Sequence, residues 1–126
     1  MKLLVVDDSY VIRQIIKATI DVLQMETIEA QDGKEALEII TEKYKEIDLI
    51  LMDWNMPEMN GYDVLVEIKK NNLYCDIPVL MVTTEGHSSS IIAAVKAGAA
   101  NYLTKPFTGD ELQEKILECV GKEADS

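Results

Sequence analysis

The chain has 126 residues, of which 48% are hydrophobic, and its formal net charge at pH 7 is −11. This length suits one domain with one hydrophobic core, and the composition is typical of a folded soluble protein rather than a disordered one. The excess of acidic residues argues against direct nucleic-acid binding, which needs a basic surface, and is compatible with binding cations or basic partner surfaces.

Short apolar runs alternate along the chain with longer segments of helical periodicity. Three of the runs are almost purely hydrophobic, which is typical of strands buried on both faces. Two others are weaker candidates of the same kind. In chain order, the predicted strands cover residues 3–6, 27–30, 49–52, 79–82 and 102–103.

A predicted helix follows each of these strands. Asp32 and Thr108 stand three residues before Glu35 and Glu111, which is the spacing of a helix capping box. Gly98 follows another predicted helix, at a position where a left-handed cap favours glycine. The predicted helices lie within residues 12–23, 36–44, 64–68, 87–97 and 112–120.

Five β-α units in a row predict an α/β fold with a parallel five-stranded sheet, helices on both faces and right-handed crossovers. We expect one domain over residues 1–121, followed by a short polar tail over residues 122–126. Open sheets of this kind bind ligands beyond the carboxyl ends of their strands. The candidate functional residues are therefore those that follow each apolar run.

Polar side chains follow four of the five predicted strands. Asp7 and Asp8 come after the first strand, Asp53 after the third, Thr83 after the fourth and Lys105 after the fifth. Clustered carboxylates are unfavourable unless protons or cations neutralise them, and one lysine offsets only one charge. Carboxylate oxygens without nearby histidine or thiolate ligands favour magnesium. The pattern therefore predicts a Mg²⁺ site at this edge of the sheet.

Each of these residues also has a purely structural interpretation. An aspartate at a strand end is often a turn former or a helix cap, although Ser9 can itself cap the first helix. A strand-end threonine is commonly satisfied locally, and a single lysine is commonly solvated. The occurrence of such residues at four strand ends favours a shared site over independent accidents.

Four motifs carry a resemblance to a known family: Asp7-Asp8, residues 53–61 beginning with Asp53, Thr83, and Lys105-Pro106-Phe107. Together they resemble the response-regulator receiver family, and within it the single-domain chemotaxis regulators. The similarity extends from Lys2 to about Val120. It implies a flavodoxin-like, doubly wound (βα)5 fold with strand order 2-1-3-4-5.

The resemblance implies that Asp53 accepts a phosphoryl group from the phosphohistidine of a sensor kinase. Asp8, Asp53 and the backbone carbonyl of Asn55 would coordinate Mg²⁺ directly, and Asp7 would act through water. Such a cation offsets the repulsion between the carboxylates and the phosphoryl group. The chain would catalyse only its own phosphorylation and dephosphorylation, so we expect a signalling protein and not an enzyme.

The resemblance also implies how phosphorylation is read. Lys105 and Thr83 would hold the phosphoryl group together with the backbone N–H groups of Trp54 and Thr84. Movement of Thr83 would let Tyr102 turn inward, although Tyr102 also fits a half-buried strand aromatic. The output surface would be formed by the fourth helix, the fifth strand and the fifth helix, with Ile91, Val95, Tyr102 and Lys115.

Further positions follow from the same resemblance. Asn55 and Glu85 match the positions that tune dephosphorylation, although Glu85 also fits a plain loop charge. The Lys105-Pro106 bond is expected to be cis. Residues 87–90 replace a more basic loop of the chemotaxis regulators, which leaves the flagellar target open.

The implied partners are a CheA-like sensor histidine kinase, a downstream protein target on the output surface, and a phosphatase that assists turnover. Chemotaxis or flagellar motor control is the first interpretation of the output. A phosphorelay or a non-flagellar target is the alternative. We expect a monomer that binds no nucleic acid.

Two other classes of protein are less consistent with the sequence. A magnesium-dependent phosphatase that forms an aspartyl phosphate would need a second aspartate as general acid, whereas Trp54 and Asn55 follow Asp53. An FMN electron carrier would need a phosphate loop after the first strand, where Asp7 and Asp8 would repel phosphate.

The sequence also predicts a cytoplasmic location. Cys75 and Cys119 form neither a disulfide framework nor a zinc site, which favours a reducing compartment. The apolar run at the N-terminus is broken too early for a signal peptide. No apolar stretch approaches the roughly 20 residues that span a bilayer, so we expect no membrane insertion.

Overall fold

The computed structural model describes residues 1–121, and the predicted polar tail 122–126 lies outside the described residues. Strands and helices alternate strictly along the chain. In order, they are β1 (Lys2–Val6), α1 (Tyr10–Val22), β2 (Glu26–Ala30), α2 (Gly33–Lys43), β3 (Ile47–Met52), α3 (Gly61–Lys70), β4 (Val79–Thr83), α4 (Ser88–Lys96), β5 (Asn101–Thr104) and α5 (Gly109–Val120). None of the helices in residues 1–121 is both long enough and apolar enough to cross a membrane.

The five strands form one parallel sheet in the order β2-β1-β3-β4-β5. This confirms the predicted (βα)5 fold and its strand order. The register aligns the strand ends, since Val6 pairs with Met52 and Met52 pairs with Met81. The ladder continues one residue beyond the strands, because the Asp53 N–H donates to the Val6 carbonyl oxygen at 2.9 Å. Residues that follow neighbouring strands are therefore brought side by side.

Alternate residues of the central strands supply two separate hydrophobic cores. One core lies between the sheet and α2, α3 and α4, and the other lies between the sheet and α1 and α5. In β1, for example, Leu4 and Val6 belong to the first core, whereas Leu3 and Val5 belong to the second. Both faces of residues 3–6, 49–52 and 79–82 are thus buried, which explains why these stretches of β1, β3 and β4 are continuously apolar.

The helix ends follow the predicted caps with one difference. Thr108 and Glu111 form the complete reciprocal capping box of α5. The Asp32 side chain accepts a hydrogen bond from the Glu35 N–H at 2.8 Å, but the Glu35 carboxylate reaches one residue further back, to the N–H of Gln31. The start of α2 therefore has only one of the two hydrogen bonds of a capping box. The Glu35 carboxylate accepts its hydrogen bond from the Gln31 N–H instead of the Asp32 N–H.

Candidate functional site

Three aspartates meet at the carboxyl edge of the sheet. One carboxylate oxygen from each of Asp7, Asp8 and Asp53 lies within 4.8 Å of the others. Asp7 is 2% exposed and Asp53 is 6% exposed, whereas Asp8 faces solvent. Asp7 and Asp53 are side by side because β1 and β3 are neighbours in the sheet. The arrangement offers two buried oxygen ligands and one accessible one to a cation.

Among the described residues, Lys105 supplies the only cationic side chain that pairs with the carboxylates of this cluster. Its Nζ lies 2.7 Å from Asp7 Oδ2 and 3.8 Å from Asp53 Oδ2. The Lys105-Pro106 peptide bond is cis, as the resemblance implied. One ammonium group beside three carboxylates leaves the cluster with an excess of negative charge. That excess favours a cation, and the all-oxygen donor set suits magnesium.

The charge of Asp53 is disfavoured by its surroundings. Burial raises the pKa of Asp53 above its usual range, and the neighbouring Asp7 raises it further. Lys105, the Thr83 hydroxyl and a backbone hydrogen bond from Asn55 act in the opposite direction without cancelling the effect of burial. A divalent cation on the same oxygens would reverse this balance and favour the ionised, nucleophilic form.

Thr83 is completely buried at the end of β4, beside Asp53. Its Oγ1 accepts a hydrogen bond at 3.2 Å from the N–H of Glu85, which begins the turn toward α4. The neighbouring Thr84 is exposed. The threonine hydroxyl therefore connects the carboxylate site to the β4–α4 loop.

Tyr102 is attached to that same loop from β5. Its hydroxyl donates a hydrogen bond to the backbone carbonyl oxygen of Glu85. Burial, with smaller contributions from Glu85 and Asp53, raises the pKa of Tyr102 to about 12, so the hydroxyl stays protonated at neutral pH. Thr83 and Tyr102 thus contact opposite backbone groups of one residue.

The other predicted output residues lie on α4 and α5. On α4, Ile91 is half-buried and Val95 is 54% exposed. On α5, the Lys115 Nζ atom lies 3.9 Å from Glu118 Oε1. His87 is the residue before α4 and makes no capping hydrogen bond with its side chain. The helices α4 and α5 pack on opposite faces of the sheet, and β5 is the edge strand beside β4.

No role is predicted for Gly61 from the sequence, but the structure places it directly against Asp53. Gly61 begins α3, and its N–H donates to the Trp54 carbonyl oxygen at 2.8 Å. A Cβ atom at this position would lie 1.9 Å from the backbone oxygen of Asp53. The signal available in the sequence was a glycine at the end of the motif that begins with Asp53.

Comparison with known proteins agrees with the fold. The sequence model of the response regulator receiver domain family matches residues 3–117. The chain therefore belongs to the response-regulator receiver family.

Similar proteins include several chemotaxis regulators. The chain is 45% identical to a chemotaxis protein CheY homolog of Campylobacter jejuni, over 96% of this chain and 93% of that one. It is also 45% identical to the chemotaxis protein CheY1 of Helicobacter pylori J99, over 96% and 98% of the two chains. Among solved structures, Vibrio cholerae CheY4 superposes with a TM-score of 0.86 at 33% identity, over 94% and 97%. The receiver domain of the Francisella response regulator 1452 superposes with a TM-score of 0.87 at 35% identity, over 96% and 97%.

Proposed function

We propose that this chain is a response regulator whose Asp53 is phosphorylated in a Mg²⁺-dependent reaction by a sensor histidine kinase. The observation that carries the proposal is the position of Asp53, which is buried beside Asp7, Asp8 and Lys105 at the carboxyl edge of the sheet. An Asp53 carboxylate oxygen attacks phosphorus, the P–N bond of the phosphohistidine breaks, and the imidazole leaves. The product is an acyl phosphate on Asp53.

The residues present fit a magnesium ion. Asp8 and Asp53, with the backbone carbonyl of Asn55, would hold it directly, and Asp7 would act through water because its oxygens already accept bonds from Ser9 and Lys105. A bound magnesium ion would supply charge neutralisation and alignment for in-line phosphoryl transfer. This role belongs to the receiver family, to which the chain belongs.

The chain's own groups would then hold the transferred phosphoryl group. Lys105 already lies between Asp7 and Asp53, so its ammonium needs only a small movement to pair with a phosphoryl oxygen. The Thr83 hydroxyl and the backbone N–H groups of Trp54 and Thr84 would supply further hydrogen bonds. The Lys105 ammonium would offset part of the charge that phosphorylation adds, and the neutral donors would stabilise the phosphoryl oxygens.

The switch would pass from Thr83 to Tyr102 through Glu85. The Thr83 Oγ1 atom accepts a hydrogen bond from the Glu85 N–H. If the Thr83 hydroxyl turns toward the phosphoryl group, that hydrogen bond is lost. The Tyr102 hydroxyl is held by the carbonyl oxygen of the same residue, so a shift of this loop frees the tyrosine to turn inward. The output surface on α4, β5 and α5 would change with it, including Ile91, Val95 and Lys115.

Two side chains would set the lifetime of the acyl phosphate. Asn55 is exposed two residues after Asp53, and Glu85 lies in the β4–α4 loop. In this proposal, both side chains would border the space from which water attacks. A phosphatase that assists turnover would act at the same opening.

The output we propose is chemotaxis, with a CheA-like kinase as phosphodonor and a flagellar motor component as target. The support is the similarity of this chain to proteins named as chemotaxis proteins, which covers nearly their whole length. A non-flagellar target or a phosphorelay is the alternative, since residues 87–90 carry no lysine or arginine. In this proposal, residues 1–121 form the receiver domain, which works as a cytoplasmic monomer.

The phosphorylation proposal is tested by intact-mass measurement after incubation with phosphoramidate and Mg²⁺. We expect one added phosphoryl group on the wild type, and none on Asp53→Ala or in EDTA. Asp21→Ala is the matched control, because Asp21 is exposed on α1 and its removal changes the net charge equally. Equal modification of Asp53→Ala would contradict the proposal.

A further inference from the structure

Arg13 joins the first turns of α1 to two other parts of the molecule. Its Nη1 donates to the backbone carbonyl oxygen of Asp7 at 2.6 Å, and its Nε donates to Glu29 Oε1 on β2 at 2.9 Å. The arginine side chain is only 12% exposed, and its guanidinium group lies over the ring of Tyr10. The planar guanidinium can hold two acceptors at once in a fixed geometry.

The backbone and the side chain of Asp7 both form hydrogen bonds with neighbouring residues. Its N–H donates to the Ala30 carbonyl oxygen at 3.1 Å, so the backbone continues the β1–β2 ladder. Its carboxylate accepts from the Ser9 N–H at 2.9 Å and from Lys105 Nζ at 2.7 Å. The bond from Arg13 to the carbonyl oxygen completes the set and fixes the plane of the peptide that joins Asp7 to Asp8.

Asp8 has no comparable support of its own. Its side chain is exposed and forms no hydrogen bond or ion pair with any residue that the structure describes. The direction of its carboxylate therefore depends on the backbone at residue 8. The peptide group that precedes residue 8 contains the Asp7 carbonyl oxygen, which accepts the hydrogen bond from Arg13.

We propose that Arg13, held in place by Glu29, is a positioning residue for the cation site. By fixing the peptide between Asp7 and Asp8, it directs the Asp8 carboxylate toward Asp53. The inference rests on the proposed Mg²⁺-dependent function and adds a residue outside the carboxylate cluster to it. Partners one step removed from a metal's ligands commonly have large effects on metal affinity.

A positioning role and a purely electrostatic role of Arg13 predict opposite changes in Mg²⁺ affinity when Arg13 is replaced. Arg13 is positively charged and lies near a cation site, so its charge alone opposes Mg²⁺ binding. Removing that charge should tighten binding if charge is what matters. If Arg13 orients Asp8, the same substitution should weaken binding.

The test is the Mg²⁺ dissociation constant of Arg13→Met, measured in the full chain by fluorescence and by calorimetry. Trp54 is the only tryptophan and directly follows Asp53, so its emission reports on the site. We expect Mg²⁺ binding to weaken about tenfold in Arg13→Met. Lys17→Met is the matched control, because Lys17 lies one turn later on α1, is 42% exposed and carries the same charge. It should bind Mg²⁺ as the wild type does, or slightly more tightly.

Urea unfolding of each variant separates positioning from loss of structure. At temperatures where Arg13→Met is folded, unchanged or tighter Mg²⁺ binding would overturn the proposal. If Arg13→Met does not fold, Arg13→Lys takes its place, since an ammonium group keeps the charge but cannot bridge both acceptors in the same geometry. Unchanged affinity in a folded Arg13→Lys would then overturn the proposal. If the wild type itself shows no Mg²⁺ binding that Asp8→Asn removes, the proposed function fails first.

Discussion

A Cβ atom on Gly61 would lie 1.9 Å from the backbone carbonyl oxygen of Asp53. The start of α3 therefore rests against the residue that carries the central carboxylate. The loop between them closes on itself through the hydrogen bond from the Gly61 N–H to Trp54. A side chain at position 61 has to displace either α3 or the backbone of Asp53.

Gly61→Ala is therefore expected to lower the free energy of unfolding by about 3 kcal/mol, as overpacking against a rigid backbone does. It should also impair phosphorylation of Asp53 in the fraction that remains folded. Gly109→Ala is the control, because nothing lies within 4 Å of a Cβ atom at the first position of α5. Urea denaturation of the two variants makes the comparison, and equal stabilities would contradict the close approach.

Asp53→Asn is expected to stabilise the folded chain at pH 7 in EDTA by about 1 kcal/mol. Burial raises the pKa of Asp53, so ionisation of this carboxyl group disfavours the folded state. A group with a raised pKa in the folded state contributes its stability below the unfolded-state value of about 3.9, and that contribution is lost as the pH rises through the folded-state value. The gain from Asp53→Asn should therefore shrink toward pH 4.

Added Mg²⁺ should also shrink this difference, since it binds the wild-type carboxylate and stabilises the folded state. Urea titrations at pH 4 to 7, with and without Mg²⁺, measure both effects. Asp21→Asn, at an exposed position on α1, should stay within about 0.5 kcal/mol of the wild type. If Asp53→Asn is less stable than the wild type at pH 7 in EDTA, the prediction is wrong and the Asp53 carboxylate is favourably paired in the wild type.

Lys105→Met should change Mg²⁺ binding and phosphorylation in opposite directions. Its ammonium group lies 2.7 Å from Asp7 Oδ2, so its removal leaves more negative charge and tightens Mg²⁺ binding. Phosphorylation by phosphoramidate should nevertheless slow about a hundredfold, because a donor to the transferred group is lost. Fluorescence titration and intact mass over time give the two quantities. Lys70→Met, with a side chain that is 68% exposed, should alter neither.

Tyr102→Phe is expected to cost about 1 kcal/mol of stability at pH 7, the usual contribution of one hydrogen bond. The lost bond is the one from the tyrosine hydroxyl to the Glu85 carbonyl oxygen. The pKa of Tyr102 is raised to about 12, so the wild-type advantage should persist to about pH 10 and fall as the pH approaches 12. Tyr74→Phe is the control, since the described residues offer its hydroxyl no hydrogen bond.

Most of the fold could be predicted because the central strands have one physical signature. In β1, β3 and β4, residues 3–6, 49–52 and 79–82 are buried on both faces and are continuously apolar. The signal was weak for β2 and β5, which lie at the two edges of the sheet and contain both apolar and polar residues. The strand order came from the family resemblance, since periodicity does not determine which strands are neighbours.

The cluster around Asp53 was predictable for a related reason. Parallel strands end at one edge, so the residues after the apolar runs had to converge there. Gly61 and Arg13 were not assigned roles, because each approaches the site through a backbone carbonyl group, and no side-chain pattern reveals such a contact. The contact from Tyr102 to Glu85 depends on the course of a loop, which local sequence does not specify.

The two edge strands also bear on how the molecule avoids unwanted association. β2 carries Glu26 and Glu29, and β5 has only four residues, beginning with Asn101. Charged or very short edges are poor templates for extending a sheet into a neighbouring molecule. We therefore expect the protein to resist edge-to-edge aggregation even at high concentration. Partners would then bind the side chains of α4, β5 and α5 and would not add a strand to the sheet.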